Sequence, residues 1–164
     1  ASGHPSFVVG RSLKSCYTSD QPFSFFGVQL GTDMRLAPTC YSIKNNTSRY
    51  HAMVSWRFEG SNDLIKWTLL DQRLHYMHNS AALKALTSPG GTSTWGVDKA
   101  VFNKYSRSGF NCFRIVQIEK NADGTNALQL SGIELYGHPI NPQNWGYEFK
   151  TKYFFFYMGF WGFG

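Results

Sequence analysis

An all-β fold, a sandwich or jelly roll built as one domain, is what this sequence predicts, and three observations carry the prediction. The chain has 164 residues, the size of one domain, and its 42% apolar and 17% aromatic content is ample for one buried core. Charged residues make up only 16% while Gly, Ser, Thr and Asn are plentiful, which favours short strands joined by turns over long solvated helices. Short stretches of alternating apolar and polar residues recur throughout, with no internal repeat at about 20–50 residues and no heptad run.

The elements follow in chain order. Phe26, Val28 and Leu30 alternate with smaller or polar residues, and Gly31-Thr32-Asp33 ends the run, the pattern of a strand and turn. Thr39, Tyr41 and Ile43 repeat the period before the polar loop from Asn45 to Arg49, and Val54, Trp56 and Phe58 repeat it opposite Ser55, Arg57 and Glu59. Gly60 to Lys66 reads as a turn in which Asp63 is the local acceptor of an Asx turn, and Trp67 to Gln72 as the next strand, with Trp67 a core residue like Trp56 and Trp95. Asn79 to Leu86 fits one helical turn behind an Asn cap. After the turn cluster Ser88-Pro89-Gly90-Gly91, Trp95 and the pair Val101 and Phe102 predict another core-facing segment. Cys112 to Glu119 is apolar on both faces and suits a central strand. Asp123-Gly124 marks a turn, and Leu128 to Tyr136 the last strand, in which a bulge at Ser131-Gly132 would give Leu128, Leu130, Ile133 and Leu135 one inward face.

Five segments in this order resemble the coagulation factor V/VIII type C, or discoidin, domains of the galactose-binding-like superfamily. They are Ala1-Ser2, Phe25 to Gly31, Phe58 to Leu70, Phe113-Arg114-Ile115, and Leu130 to Gly137. The resemblance covers residues 1–137 and implies a discoidin-like jelly-roll β-sandwich, leaving 138–164 as a linker and aromatic tail. Cys16 to Pro22, Leu36 to Ile43 and Ser88 to Trp95 are similar to an intracellular subgroup found beside BTB or HECT ubiquitin-ligase regions. Two departures stand out: no Cys lies near Ala1 or Gly137 to join the termini as in secreted members, and Gln29 replaces the usual acidic residue before Leu30-Gly31. The basic and histidine motif of the fucose-binding relatives is not recognisable.

No motif supplies catalysis. H-E-x-x-H, C-x-x-C, P-loop, Rossmann and G-x-S-x-G patterns are missing, so no enzyme activity and no cofactor are expected. His75 and His78 near Asp71 read as solvated or capped residues rather than metal ligands, and Cys16, Cys40 and Cys112 as buried thiols. In the resembled family, ligands meet loops at one end of the sandwich, which correspond here to 3–7, 14–20 and 45–51. Those loops carry His4, Lys14, Tyr17, Arg49, Tyr50 and His51, cationic donors and aromatic faces suited to a carboxylate, a phosphate or a sugar edge.

A net charge of +6 attracts anionic partners, but the basic residues are scattered, and no RNA-binding signature points to nucleic acid. Apart from Phe7 these loops lack large apolar tips, which argues against membrane insertion. An odd cysteine count at wide spacing fits a reducing compartment, whereas Asn45-Asn46-Thr47-Ser48 holds two overlapping glycosylation acceptors that matter only on secretion. The expected function is a non-catalytic, intracellular protein-interaction module, accessory to a ubiquitin ligase or part of another multidomain assembly. The alternative is a carbohydrate- or anionic-lipid-binding domain at the cell surface or outside the cell. The tail from Trp145 to Gly164 is dense in aromatics, and its apolar run from Tyr153 to Phe163 is about half of the ~20 residues a membrane helix needs.

Overall fold

The computed structural model describes residues 16–31, 33–45, 52–74, 88, 90–140 and 159–161. Its strands are β1 (Cys16–Tyr17), β2 (Phe25–Gln29), β3 (Arg35–Lys44), β4 (Trp56–Ser61), β5 (Thr68–Arg73), β6 (Thr92–Gly96), β7 (Cys112–Gln117), β8 (Gln129–Leu130), β9 (Gly132–Ile140) and β10 (Gly159–Trp161). Among the described residues one helix, α1 (Lys99–Tyr105), lies between β6 and β7. The strands form a five-stranded antiparallel sheet in the order β10-β2-β7-β4-β5, a three-stranded sheet β6-β3-β9, and the small pair β1-β8.

Alternation along each strand builds the core. Phe26 and Val28 of β2, Phe113 and Ile115 of β7, and Trp56 and Phe58 of β4 turn inward from the large sheet. They meet Tyr41 and Ile43 of β3, Trp95 of β6, and Ile133 and Leu135 of β9. The rings interlock: Tyr41 stacks on Phe58 at 4.3 Å, and Trp56 meets Trp95 edge-on at 4.8 Å between centroids. Aromatic pairs in these geometries add to the area they bury.

A polar chain crosses the same interior. The Trp56 Nε1–H donates to the Tyr41 hydroxyl at 2.9 Å, which donates to Asp71 Oδ2 at 2.7 Å. Arg73 holds the same carboxylate oxygen at 2.6 Å and donates to the Gly96 carbonyl, so β3, β4, β5 and β6 are tied together. The β4–β5 register shifts between Phe58 and Glu59, which leaves Leu70 as the extra residue of β5 and lets both Leu70 and Asp71 serve the interior. At the other seam Gly137 packs so closely that a Cβ there would lie 2.1 Å from the Ala37 carbonyl oxygen.

Several expectations change. Val101 and Phe102 belong to α1, capped by Asp98 at the Ala100 and Val101 N–H groups; no residue of this helix is fully buried, but Val101 and Tyr105 pack against the core as the expected core-facing segment. The Asp98 cap explains why this core-facing segment is helical. At Ser131 the chain changes partner where a bulge was expected, β8 pairing with β1 and β9 with β3, which brings Leu130 and Ile133 inside by a different route. Strand β9 also continues through Pro139 to Ile140, opposite Leu36 and Arg35. In the tail, Gly159–Trp161 pairs with Gln29, Val28 and Gly27 at the β2 edge. The predicted turn of helix from Asn79 to Leu86 lies outside the described residues.

Strand direction defines two poles. At one, the start of β2, the end of β7 and the start of β4 open into loops 18–24, 118–128 and 52–55. At the other, the β4–β5 turn of 62–67 lies against the 106–111 segment, where the Asn62 amide donates to the Gly109 carbonyl and accepts from the Asn111 N–H.

Candidate ligand-binding site

Of the six residues singled out for binding, Tyr17 is the one the structure describes; His4, Lys14, Arg49, Tyr50 and His51 lie outside the described residues. Tyr17 sits at the loop pole in β1, paired with Gln129, and is 43% exposed. The next residue anchors it: the Thr18 N–H donates to the Leu128 carbonyl, and the Leu128 N–H donates to Thr18 Oγ1, both at 3.0 Å. Asp20 accepts from the Asn126 backbone and side-chain N–H groups at 2.7 and 3.0 Å, closing loop 18–24 against loop 118–128.

Within the first loop the Ser24 hydroxyl donates to the Gln21 carbonyl at 2.8 Å. Within the second, Asn121 is 5% exposed and bonds Thr125 and the Ala127 carbonyl, while Gly124 takes a φ of 85°. The Ala122 N–H reaches the Ala52 carbonyl and Ile118 the Ser55 carbonyl, which brings a third loop alongside. Between the first two loops Gln117 is 2% exposed, and its Oε1 has no hydrogen bond among the described residues.

Phe23, missed in the sequence, is 59% exposed at the tip of this pole with a φ of 59°. A bulky residue in the left-handed region is held there against a steric cost. The turn residues Asp20-Gln21-Pro22 before it were the signal that could have found it. Tyr17 and Phe23 thus offer aromatic surface on a frame that the hydrogen bonds keep rigid.

The outward face of the five-stranded sheet holds a second constellation. Arg114 donates to Glu59 Oε2 at 2.7 Å through both Nε and Nη2, and Arg57 lies 3.8 Å from the other carboxylate oxygen. The Arg114 guanidinium lies 4.0 Å over the Trp67 ring and 5.5 Å from the Phe25 centroid. Trp67 is therefore half-buried on this face, not in the core: it pairs with charge because its neighbours Glu59 and Arg114 point outward with it. Gln29, where an acidic residue was expected, donates to Asn111 Oδ1 at 3.2 Å, and Asn111 donates to the Leu30, Gly31 and Met34 carbonyls.

The cysteines are thiols, with Cys16 and Cys112 buried, and burial pushes both of these above their ordinary pKa, away from the reactive thiolate. Among the described residues no group of three His, Cys, Asp or Glu is placed to hold a metal ion; His75 and His78 lie outside them. Asn45 is 1% exposed, so a glycan on it has no room, whereas Asn46 lies outside the described residues.

No protein-family model matches the sequence, and no curated protein matches it significantly. Solved structures do match. A family 32 carbohydrate-binding module from Clostridium perfringens, in complex with GalNAc-β-1,3-galactose, aligns with a TM-score of 0.57 at 9% identity, covering 80% of this chain and 81% of its own. Another family 32 module, from a family 31 glycoside hydrolase of the same organism, gives 0.58 at 14% identity over 83% and 86%. A family 62 module from Clostridium thermocellum Xyl5A gives 0.56 at 15% identity over 84% and 86%. The chain therefore has the discoidin-like jelly-roll β-sandwich fold of these modules.

Proposed function

We propose that the protein is a non-catalytic carbohydrate-binding module whose site is the loop pole around Tyr17 and Phe23. The observation that carries the reading is the match over four fifths of both chains to a module solved with GalNAc-β-1,3-galactose. Local chemistry supports it. Sugar rings present C–H faces that stack on exposed aromatics and hydroxyls that need fixed polar partners. Tyr17 and Phe23 supply the first, and the Asp20–Asn126 and Asn121–Thr125 networks hold polar groups in place for the second. His4, Lys14, Arg49, Tyr50 and His51, which lie outside the described residues, are further candidates for the sugar through the resemblance to discoidin domains alone.

An intracellular protein-recruiting role, with residence in the cytoplasm and service to a ubiquitin ligase, ranks second because the neighbours above are named for carbohydrate. The two separate on arrays. The intact chain is expected to light a subset of glycans, galactose- or GalNAc-terminated ones first, and to leave a peptide array dark. A blank glycan array with peptide hits reverses the order.

A further inference from the structure

The two edges of the five-stranded sheet are finished in different ways. At one, β5 blunts itself: its register with β4 shifts between Phe58 and Glu59, and it carries the Asp71–Arg73 ion pair. A bulge and charges are devices by which a sheet refuses a further strand. At the other edge, β2 reads Phe25-Phe26-Gly27-Val28-Gln29, with no charge and no proline, and its register with β7 runs unbroken over the same residues. An apolar, uncharged and regular edge is the kind that recruits another chain. What covers it here is β10, supplied from the far end of the sequence.

Backbone direction shows how the cover works. The Leu30 N–H donates to the Asn111 carbonyl, and the Ser24 carbonyl accepts from the Gln117 N–H, so the even-numbered residues along β2 turn their backbone groups to β7. Backbone groups alternate along an extended strand, and those of Phe25, Gly27 and Gln29 therefore face the edge. Strand β10 lies antiparallel with Trp161 opposite Gly27 and Gly159 opposite Gln29, which makes these the pairs that exchange both N–H···O bonds. The ladder is short, three residues against the five of β2, so release breaks few bonds. What favours it is the covalent tether through 141–158, which supplies the strand at an effective concentration of about 1 mM, far above that of a second copy in dilute solution.

We propose that β10 is a removable guard, and that the β2 edge beneath it is a self-association surface whose partner is β2 of a second copy. The edge is self-complementary. With a two-fold axis at Gly27, Phe25 of each copy stands opposite Gln29 of the other and the two Gly27 residues face each other, so every edge-facing residue meets a bonded partner and no charges collide. The sheets of the two copies then join into one across the axis, with their loop poles pointing in opposite directions. This surface goes beyond the sugar reading and does not rest on it.

Trp161→Pro in the intact chain tests the proposal, because it removes a bonded N–H of the guard and alters no residue of β2. At about 50 µM, well below the effective concentration of the tether, the parent chain should sediment as a monomer and the variant as a dimer. Diluted to about 1 µM, where the pair separates, the variant should exchange its Gly27 and Gln29 amides at least about tenfold faster than the parent. Adding Gln29→Lys places a cation on the opened edge and should restore the monomer, a rescue that misfolded aggregates would not show. A variant that stays monomeric with these amides exposed, exchange rates that Trp161→Pro leaves unchanged, or a dimer that Gln29→Lys leaves intact overturns the proposal. So does a parent chain that is already a dimer and that Trp161→Pro dissolves, which would seat β10 on the neighbouring copy instead.

Discussion

Replacing Tyr41 by Phe keeps the ring, its 4.3 Å stack on Phe58 and its volume, and deletes the hydroxyl that joins Trp56 to Asp71. The bond to the carboxylate is charge-assisted and contributes about 1.5–3 kcal/mol, and leaving the Trp56 N–H, 0% exposed, without a partner costs a further ~1–3 kcal/mol. Arg73, still 2.6 Å from Asp71, offsets part of this, so the net loss should be about 3 kcal/mol. In a domain of this size that lowers the thermal midpoint by about 10 °C. Burial first, and then the Asp71 charge and hydrogen bond, push the Tyr41 phenol well above its ordinary pKa. Its unfolded value is about 10, so this contribution is complete below pH ~10 and is lost as pH rises through the folded value. Urea unfolding followed by tryptophan fluorescence, at neutral and at alkaline pH, reads both effects. A loss under about 1 kcal/mol at neutral pH, or an unchanged alkaline limb, refutes the inter-sheet role of the hydroxyl.

Two further outcomes follow from the outer sheet face and the hairpin. Arg114→Met should cost about 2 kcal/mol by stranding Glu59, whose side chain is 8% exposed, and the double variant Arg114→Met with Glu59→Leu should recover most of it in urea titration. Backbone N–H bonds from Lys66 and Ile65 hold the Asp63 carboxyl below its ordinary pKa, so its contribution is present above about pH 4 and lost as pH falls through the folded value. Thermal melts at neutral and acidic pH should therefore show Asp63→Ala losing less on acidification than the parent chain.

Much of the fold was legible because period-two alternation is a local signal: β2, β4, β5 and β7 stand where Phe26, Trp56, Leu70 and Phe113 indicated. Trp67 misled because alternation says that a side chain lies on one face, not whether that face is covered, and here Arg114 rather than the core meets it. The partner switch at Ser131 was hidden because the apolar phase change of a bulge and of a sheet exchange look alike in one dimension. The site was less legible. Tyr17 was singled out by chemistry and correspondence, and the structure shows its exposure, but the exposure of Phe23, Leu64 and Ile65 depends on turn geometry, and large apolar residues in turns read by default as core.

The central claim is that the loop pole takes a sugar. Amide chemical shifts of the intact chain, followed while galactose and GalNAc-β-1,3-galactose are added, test it most directly. The account predicts saturable shifts gathered at residues 17–24 and 118–128, lost in Phe23→Ala with an unchanged thermal midpoint. Shifts confined to the outer face around Arg114, or a folded chain whose spectrum no glycan moves, would contradict it.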